Sequence, residues 1–140
     1  MIVLDTDILS ILNYQEGTSY DRAKMHLASV GDELLCTTII SIEEQLRGWL
    51  SYIAASKKVE REIEGYLRLQ TLLDDIGNYA ILSFAAAAAM VFASLRKQRV
   101  RVGTMELKIA AIAISSDAAV ATANAAHFAR IPGVKLLDWR

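Results

Sequence analysis

The sequence is poor in the residues that build covalent or soft-metal frameworks. Among 140 residues there is one cysteine, Cys36, one proline, Pro132, and two histidines, His26 and His127. A single thiol excludes a disulfide framework and a cysteine-based zinc site. Two imidazoles exclude a histidine-rich metal site. The formal net charge is −1, so any nucleic-acid contact has to come from a local basic patch. There is no G-x-G-x-x-G and no P-loop, which leaves nucleotide binding by those devices without support. No repeat and no linker rich in proline, glycine or serine interrupts the chain, so one compact domain over residues 1–140 is expected. The stretch nearest to a membrane span, "AILSFAAAAAMVFASL" (80–95), falls short of the ~20 apolar residues a span needs and is largely alanine. It reads as a buried helix. The start "MIVLDTD" has no signal-peptide pattern. With one lone thiol, the reducing cytoplasm is the expected setting.

What is present is apolar. Hydrophobic residues make up 54% of the chain, enough to build a core at this length. Short apolar or β-branched runs at 2–4, 34–40, 79–82, 119–122 and 134–139 read as strands. Helical patterns cover 7–14, 19–30, 41–56, 57–76, the alanine-rich stretch and 104–116, with a short helix or turn at 124–130. Thr6 or Asp7 is the expected cap of the first helix, and the charges of 57–76 read as a solvated face. Strands alternating with helices predict an α/β fold with three layers, α/β/α, around a central, mostly parallel sheet. In such sheets ligands sit beyond the carboxyl ends of the strands.

Acidic residues fall at that end. Asp5 directly follows the first strand, and with Thr6 and Asp7 it gives more acid than capping needs. Glu44 follows the second strand; Ser41 and Glu44 also fit a capping box, in which the glutamate reaches back to the helix start. Gly48, one turn on, leaves room for a ligand to approach. Glu106 opens "MELKIAAIAI", and its own helical face carries Ile109, Ala110 and Ala113. A carboxylate leading a core face wants donors or a cation beside it. No Lys or Arg of that helix shares the face. Three acids from separate segments meeting at one sheet edge suit a hard divalent cation, Mg²⁺ or Mn²⁺.

Four blocks, "LDTDILS" (4–10), "ISIEEQLRGWL" (40–50), "RVGTMELKIAAIAI" (101–114) and "ATANAAHFARIPGVKLLDW" (121–139), resemble the PIN domain in family order. They look most like the VapC-type toxin ribonucleases of bacterial toxin–antitoxin pairs. The resemblance implies a metal-dependent endoribonuclease that hydrolyses RNA phosphodiester bonds by metal-activated water. It also implies a Mg²⁺ or Mn²⁺ cofactor, a cognate antitoxin and a homodimer. By matched position, Asp5, Glu44 and Glu106 are the catalytic and metal-holding acids. Thr6, Asp7, Thr122, Asn124 and His127 are expected around them or against substrate. Two positions depart from the family pattern: Glu106 stands where aspartate is usual, and His127 where a fourth acid is common. Imidazole suits Mn²⁺ better than Mg²⁺. The plainer reading of His127 is a partly buried ring packed beside Phe128. These departures motivate the rival reading, a catalytically degenerate PIN fold that binds RNA or an antitoxin without cleaving.

"RKQRVR" (96–101) supplies Arg96, Lys97, Arg99 and Arg101, either as helix C-terminal cations or as RNA phosphate contacts. Arg47, close to Glu44, is a further candidate for a phosphate or for pairing with an acid. Trp49 and Trp139 read as core or interface aromatics.

Overall fold

Every short apolar run does become a strand, and each strand pairs in the same direction. A computed structural model describes residues 1–140. Its elements are β1 (Ile2–Leu4), α1 (Thr6–Tyr14), α2 (Thr18–Ser29), β2 (Leu35–Thr38), α3 (Ile39–Ala55), α4 (Val59–Asp75), β3 (Ala80–Leu82), α5 (Ala86–Lys97), α6 (Thr104–Ser115), β4 (Ala119–Thr122), α7 (Ala125–Phe128) and β5 (Lys135–Asp138). A 3₁₀ turn, Ile76–Asn78, joins α4 to β3. The sheet has five strands in the order β3-β2-β1-β4-β5, all parallel. This is the expected three-layer fold, with no antiparallel strand.

Side chains of β1 alternate between two cores, as the period of two dictates. Val3 packs with Cys36, Val120 and the buried residues of α5 and α6. Ile2 and Leu4 face the other way, onto Ile8 and Leu9 of α1, Ala121 and Trp139. Helices therefore cover both faces, which is why the central strands lack an alternating polar pattern. The run Leu107–Ala113 of α6 is buried except for Lys108, which matches its near-uniform apolar composition. The alanines of α5 let that helix lie against α6, and Ala88 is buried there.

Several local expectations change. The second strand stops at Thr38 rather than residue 40, because Thr38 caps α3: its side chain accepts from Ser41 N at 3.1 Å. The Ser41–Glu44 capping box is therefore not formed. Helix α1 starts one residue earlier than expected, and its cap is Asp5, which accepts from Thr6 N at 2.8 Å. The outer face of α4 is not simply charged. Val59, Ile63, Tyr66, Leu67 and Leu73 are all more than half exposed along it. No helix is long and apolar enough to cross a membrane.

Candidate functional site

The connection after β1 runs to β2 on one side, whereas β4 and β5 lie on the other. Helices α1 and α2 follow β1 on one face of the sheet, and α5 and α6 precede β4 on the opposite face. The strand order thus reverses between β1 and β4, and a crevice opens at their carboxyl ends. Asp5 and Thr122 are the residues at those two ends.

They are joined directly. Thr122 Oγ1 donates to Asp5 Oδ2 at 2.9 Å, and Asp5 Oδ1 accepts from Thr6 N. Asp7, two residues on, accepts from Ala123 N at 3.1 Å. Two carboxylates thus share one buried corner. Burial, and then the Asp7 charge, push the Asp5 carboxyl up to about 7, with Glu44 adding a smaller push. Burial also raises Asp7. Donors from Thr6 and Thr122 oppose the Asp5 shift without cancelling it. Asp5 is only 7% exposed, so little water reaches it to screen the repulsion.

Glu44 reaches this corner through Thr6, whose hydroxyl donates to Glu44 Oε1 at 2.7 Å. With the capping box unformed, its carboxylate is turned to α1 instead of the start of its own helix. On the β4 side, Asn124 N donates to Thr122 Oγ1 at 2.9 Å. The Asn124 amide lies 2.9 Å from His127 Nδ1, which is 3.2 Å from Glu106 Oε1. The His127 ring is half-exposed, and its Nδ1 faces Asn124 and Glu106. The partner that Glu106 needs is this imidazole, supplied by α7 rather than by its own helix. A polar chain accordingly runs from Glu44 through Thr6, Asp5, Thr122, Asn124 and His127 to Glu106.

Asp5, Glu44 and Glu106 do not form a metal-ligand cluster as they stand. No three His, Cys, Asp or Glu side chains come together closely enough for that. The carboxylates are engaged by Thr6, Thr122 and His127 instead. The donor chemistry nevertheless fits a hard divalent cation. The carboxylates are oxygen ligands, two of them repel each other in a buried corner, and Asp7 Oδ1 and Glu106 Oε2 are buried without a partner.

The basic candidates divide. Arg101 lines a cleft of about 460 Å³ with Val102, Gly103, Glu106, His127 and Arg130. Arg96 lies over the Phe92 ring instead, and neither Lys97 nor Arg99 lines this cleft. Arg47 pairs with Glu43 at 2.6 Å on the helix surface. Arg130, two residues after the "NAAHF" segment, is a cation of this cleft that local pattern does not mark; its nearness to that segment is the one signal in the sequence. Trp139 is buried and stacks on His26, as a core aromatic should. Trp49 is only half-buried. It lines a second cleft, of about 310 Å³, together with Thr6, Tyr14, Glu44 and Tyr52.

No protein-family model matches the chain, and no curated protein matches it significantly. Solved structures do. The chain is similar to VapBC2 from Rickettsia felis bound to a DNA fragment from its promoter, at 25% identity, 100% coverage of both chains and a TM-score of 0.76. It matches DNA-bound VapBC from Salmonella typhimurium at 24% identity, covering 99% of this chain and 98% of that one, with a TM-score of 0.73. VapBC-1 from nontypeable Haemophilus influenzae gives 22% identity, 99% and 98% coverage and a TM-score of 0.73. The last two show the fold alone. The first supports the PIN-type, VapC-like resemblance read from the four sequence blocks, and all three support its fold.

Proposed function

We propose that this protein is a metal-dependent endoribonuclease, the toxin of a toxin–antitoxin pair, in which Asp5, Glu44 and Glu106 hold Mg²⁺ or Mn²⁺. The observation that carries the reading is the buried Asp5–Asp7 pair at the switch point of the sheet, with Asp5 pushed up to about 7. Two carboxylates that repel each other in a water-poor corner are unfavourable for the fold alone and suited to a cation. When bound, such an ion supplies activation of water and neutralisation of charge on a phosphodiester.

The chain's own residues do the rest. Thr6 and Thr122 fix the orientations of Glu44 and Asp5. Burial raises both the Asp5 and the Asp7 carboxyl, so a cation at this corner relieves the repulsion between them. Asn124 and His127 position Glu106 from the far side. Arg101 supplies positive charge beside it for a polyanion. The exposed apolar stripe of α4 is the surface that an antitoxin or a second copy of the chain would cover.

Calorimetry with Mn²⁺ and Mg²⁺ on the native chain and on Asp5→Asn tests this first. Expected is micromolar-to-millimolar binding that the mutation abolishes, with metal-dependent cleavage of single-stranded RNA lost in parallel. A folded native chain that binds neither ion would sink the metal-dependent reading.

The degenerate reading has one observation in its favour: His127 occupies Glu106 at 3.2 Å, and no three-acid cluster is formed. RNA or antitoxin binding without metal binding or cleavage would decide for it.

A further inference from the structure

Two clefts of opposite chemistry flank the acids. On the β4 side lies the cleft of Arg101 and Arg130, with Glu106 and His127 in its wall. On the β2 side lies the cleft between α1 and α3, which shares Thr6 and Glu44 with the acidic corner and has Tyr14, Trp49 and Tyr52 in its wall. Trp49 sits between the two tyrosines, with ring centroids 6.5 Å from Tyr14 and 5.7 Å from Tyr52. Gly48 lines the cleft as well, and a Cβ there would meet nothing within 4 Å. The Arg68 guanidinium lies over the Tyr14 ring at 4.2 Å, in an adjoining pocket that shares Tyr14, Gln45 and Trp49 with this cleft. Gln45, 7% exposed, also lines it, and its buried Oε1 has no partner.

We propose that the cleft of Tyr14, Trp49 and Tyr52 is a nucleobase subsite that holds one unstacked base of single-stranded RNA, with the strand crossing the acids toward Arg101 and Arg130. This rests on the ribonuclease reading and adds the strand's path to it. Single-stranded nucleic acid is held by aromatic faces for its bases and cations for its backbone, and sequence tolerance follows because every base has a π-face. Both parts are present here, one on each side of the carboxylates. The aromatic cleft is continuous with the acids through Thr6 and Glu44, so a base seated there lies next to the reacting centre. The guanidiniums on the far side offset the repulsion that the acids exert on phosphates. An apolar partner peptide would use the aromatic wall but would have no use for the two arginines across the acids.

The test uses the full chain in EDTA with a five-nucleotide single-stranded RNA carrying a fluorescent label, read by label anisotropy and by tryptophan emission. Trp139 is buried on His26, so quenching reports Trp49. Expected is saturable quenching with the same midpoint as the anisotropy. Trp49→Ala weakens binding about tenfold or more, while Trp49→Phe keeps most of the affinity. Arg130→Gln lowers the slope of log affinity against log salt by roughly 0.7. If Trp49→Ala fails to fold, Tyr14→Ala carries the same expectation. Anisotropy unchanged by these substitutions overturns the subsite and leaves the RNA reading standing. No anisotropy change with the native chain overturns both. Quenching that follows protein concentration without RNA overturns the subsite in favour of contact between copies of the chain.

Discussion

At the scale of single residues, Asp5 carries both a structural and a chemical load. It caps α1 and also holds a buried charge beside Asp7. Its carboxyl titrates near 3.8 when unfolded and near 7 in the native state. Below pH 4 both states keep the proton. Between 4 and 7 only the native state does, so this group makes stability fall as pH rises through that window and stay low above it. Asp5→Asn removes the charge. Its melting temperature in EDTA is expected to exceed that of the native chain at pH 8, and to lose that advantage at pH 5. A native chain equally stable at both values, with Asp5→Asn no better at pH 8, would show that the corner is not strained by charge. Added Mn²⁺ should stabilise the native chain more at pH 8 than at pH 5, because cation and proton compete for the same carboxylates.

The α3–α4 hairpin shows the scale of elements, through two glycines of opposite character. Gly48 in α3 faces open space, whereas a Cβ at Gly65 in α4 would come within 2.5 Å of Ile53 Cγ1 and 3.0 Å of Tyr52 Cδ1. Alanine is favoured over glycine in a helix interior by about 1 kcal/mol. Gly48→Ala is therefore expected to stabilise the protein by roughly 0.5–1 kcal/mol in urea unfolding. Gly65→Ala is expected to destabilise it by about 1–3 kcal/mol, the usual range for overpacking, because the two helices must separate. It would also shift Tyr52, so RNA binding at the aromatic cleft should weaken with it. Equal responses at the two positions would mean that the hairpin is not closely packed at Gly65.

The whole molecule joins a well-covered sheet to a poorly covered helix. Both faces of the central strands are buried, yet α4 presents Val59, Ile63, Tyr66, Leu67 and Leu73 outward. An apolar stripe of this kind marks an interaction surface. The isolated chain is expected to associate with rising concentration in sedimentation experiments. Leu67→Lys should reduce that association while leaving the melting temperature within about 1 °C, since an exposed side chain contributes little to the fold. A monomer at all concentrations, for native chain and variant alike, would remove α4 as a contact between copies and leave the antitoxin as its occupant.

The sequence by itself determined the layers and the end of the sheet to inspect. Short apolar, β-branched runs bounded by turn residues favour strands, and helices between them favour parallel pairing. It also placed Asp5, Glu44 and Glu106 near strand ends or a helix start, because those positions follow from local periodicity. What it did not reveal is which donor each polar group meets. Thr38, not Ser41, caps α3, and that choice frees Glu44 to bond Thr6, 38 residues away. Glu106 finds His127 across 21 residues, and Trp49 turns from the core to line a cleft. Hydrogen-bond partners and side-chain exposure depend on distances between segments remote in the chain, which only the tertiary structure sets. For that reason the fold was legible from one-dimensional pattern, while the aromatic cleft and the part played by His127 were not.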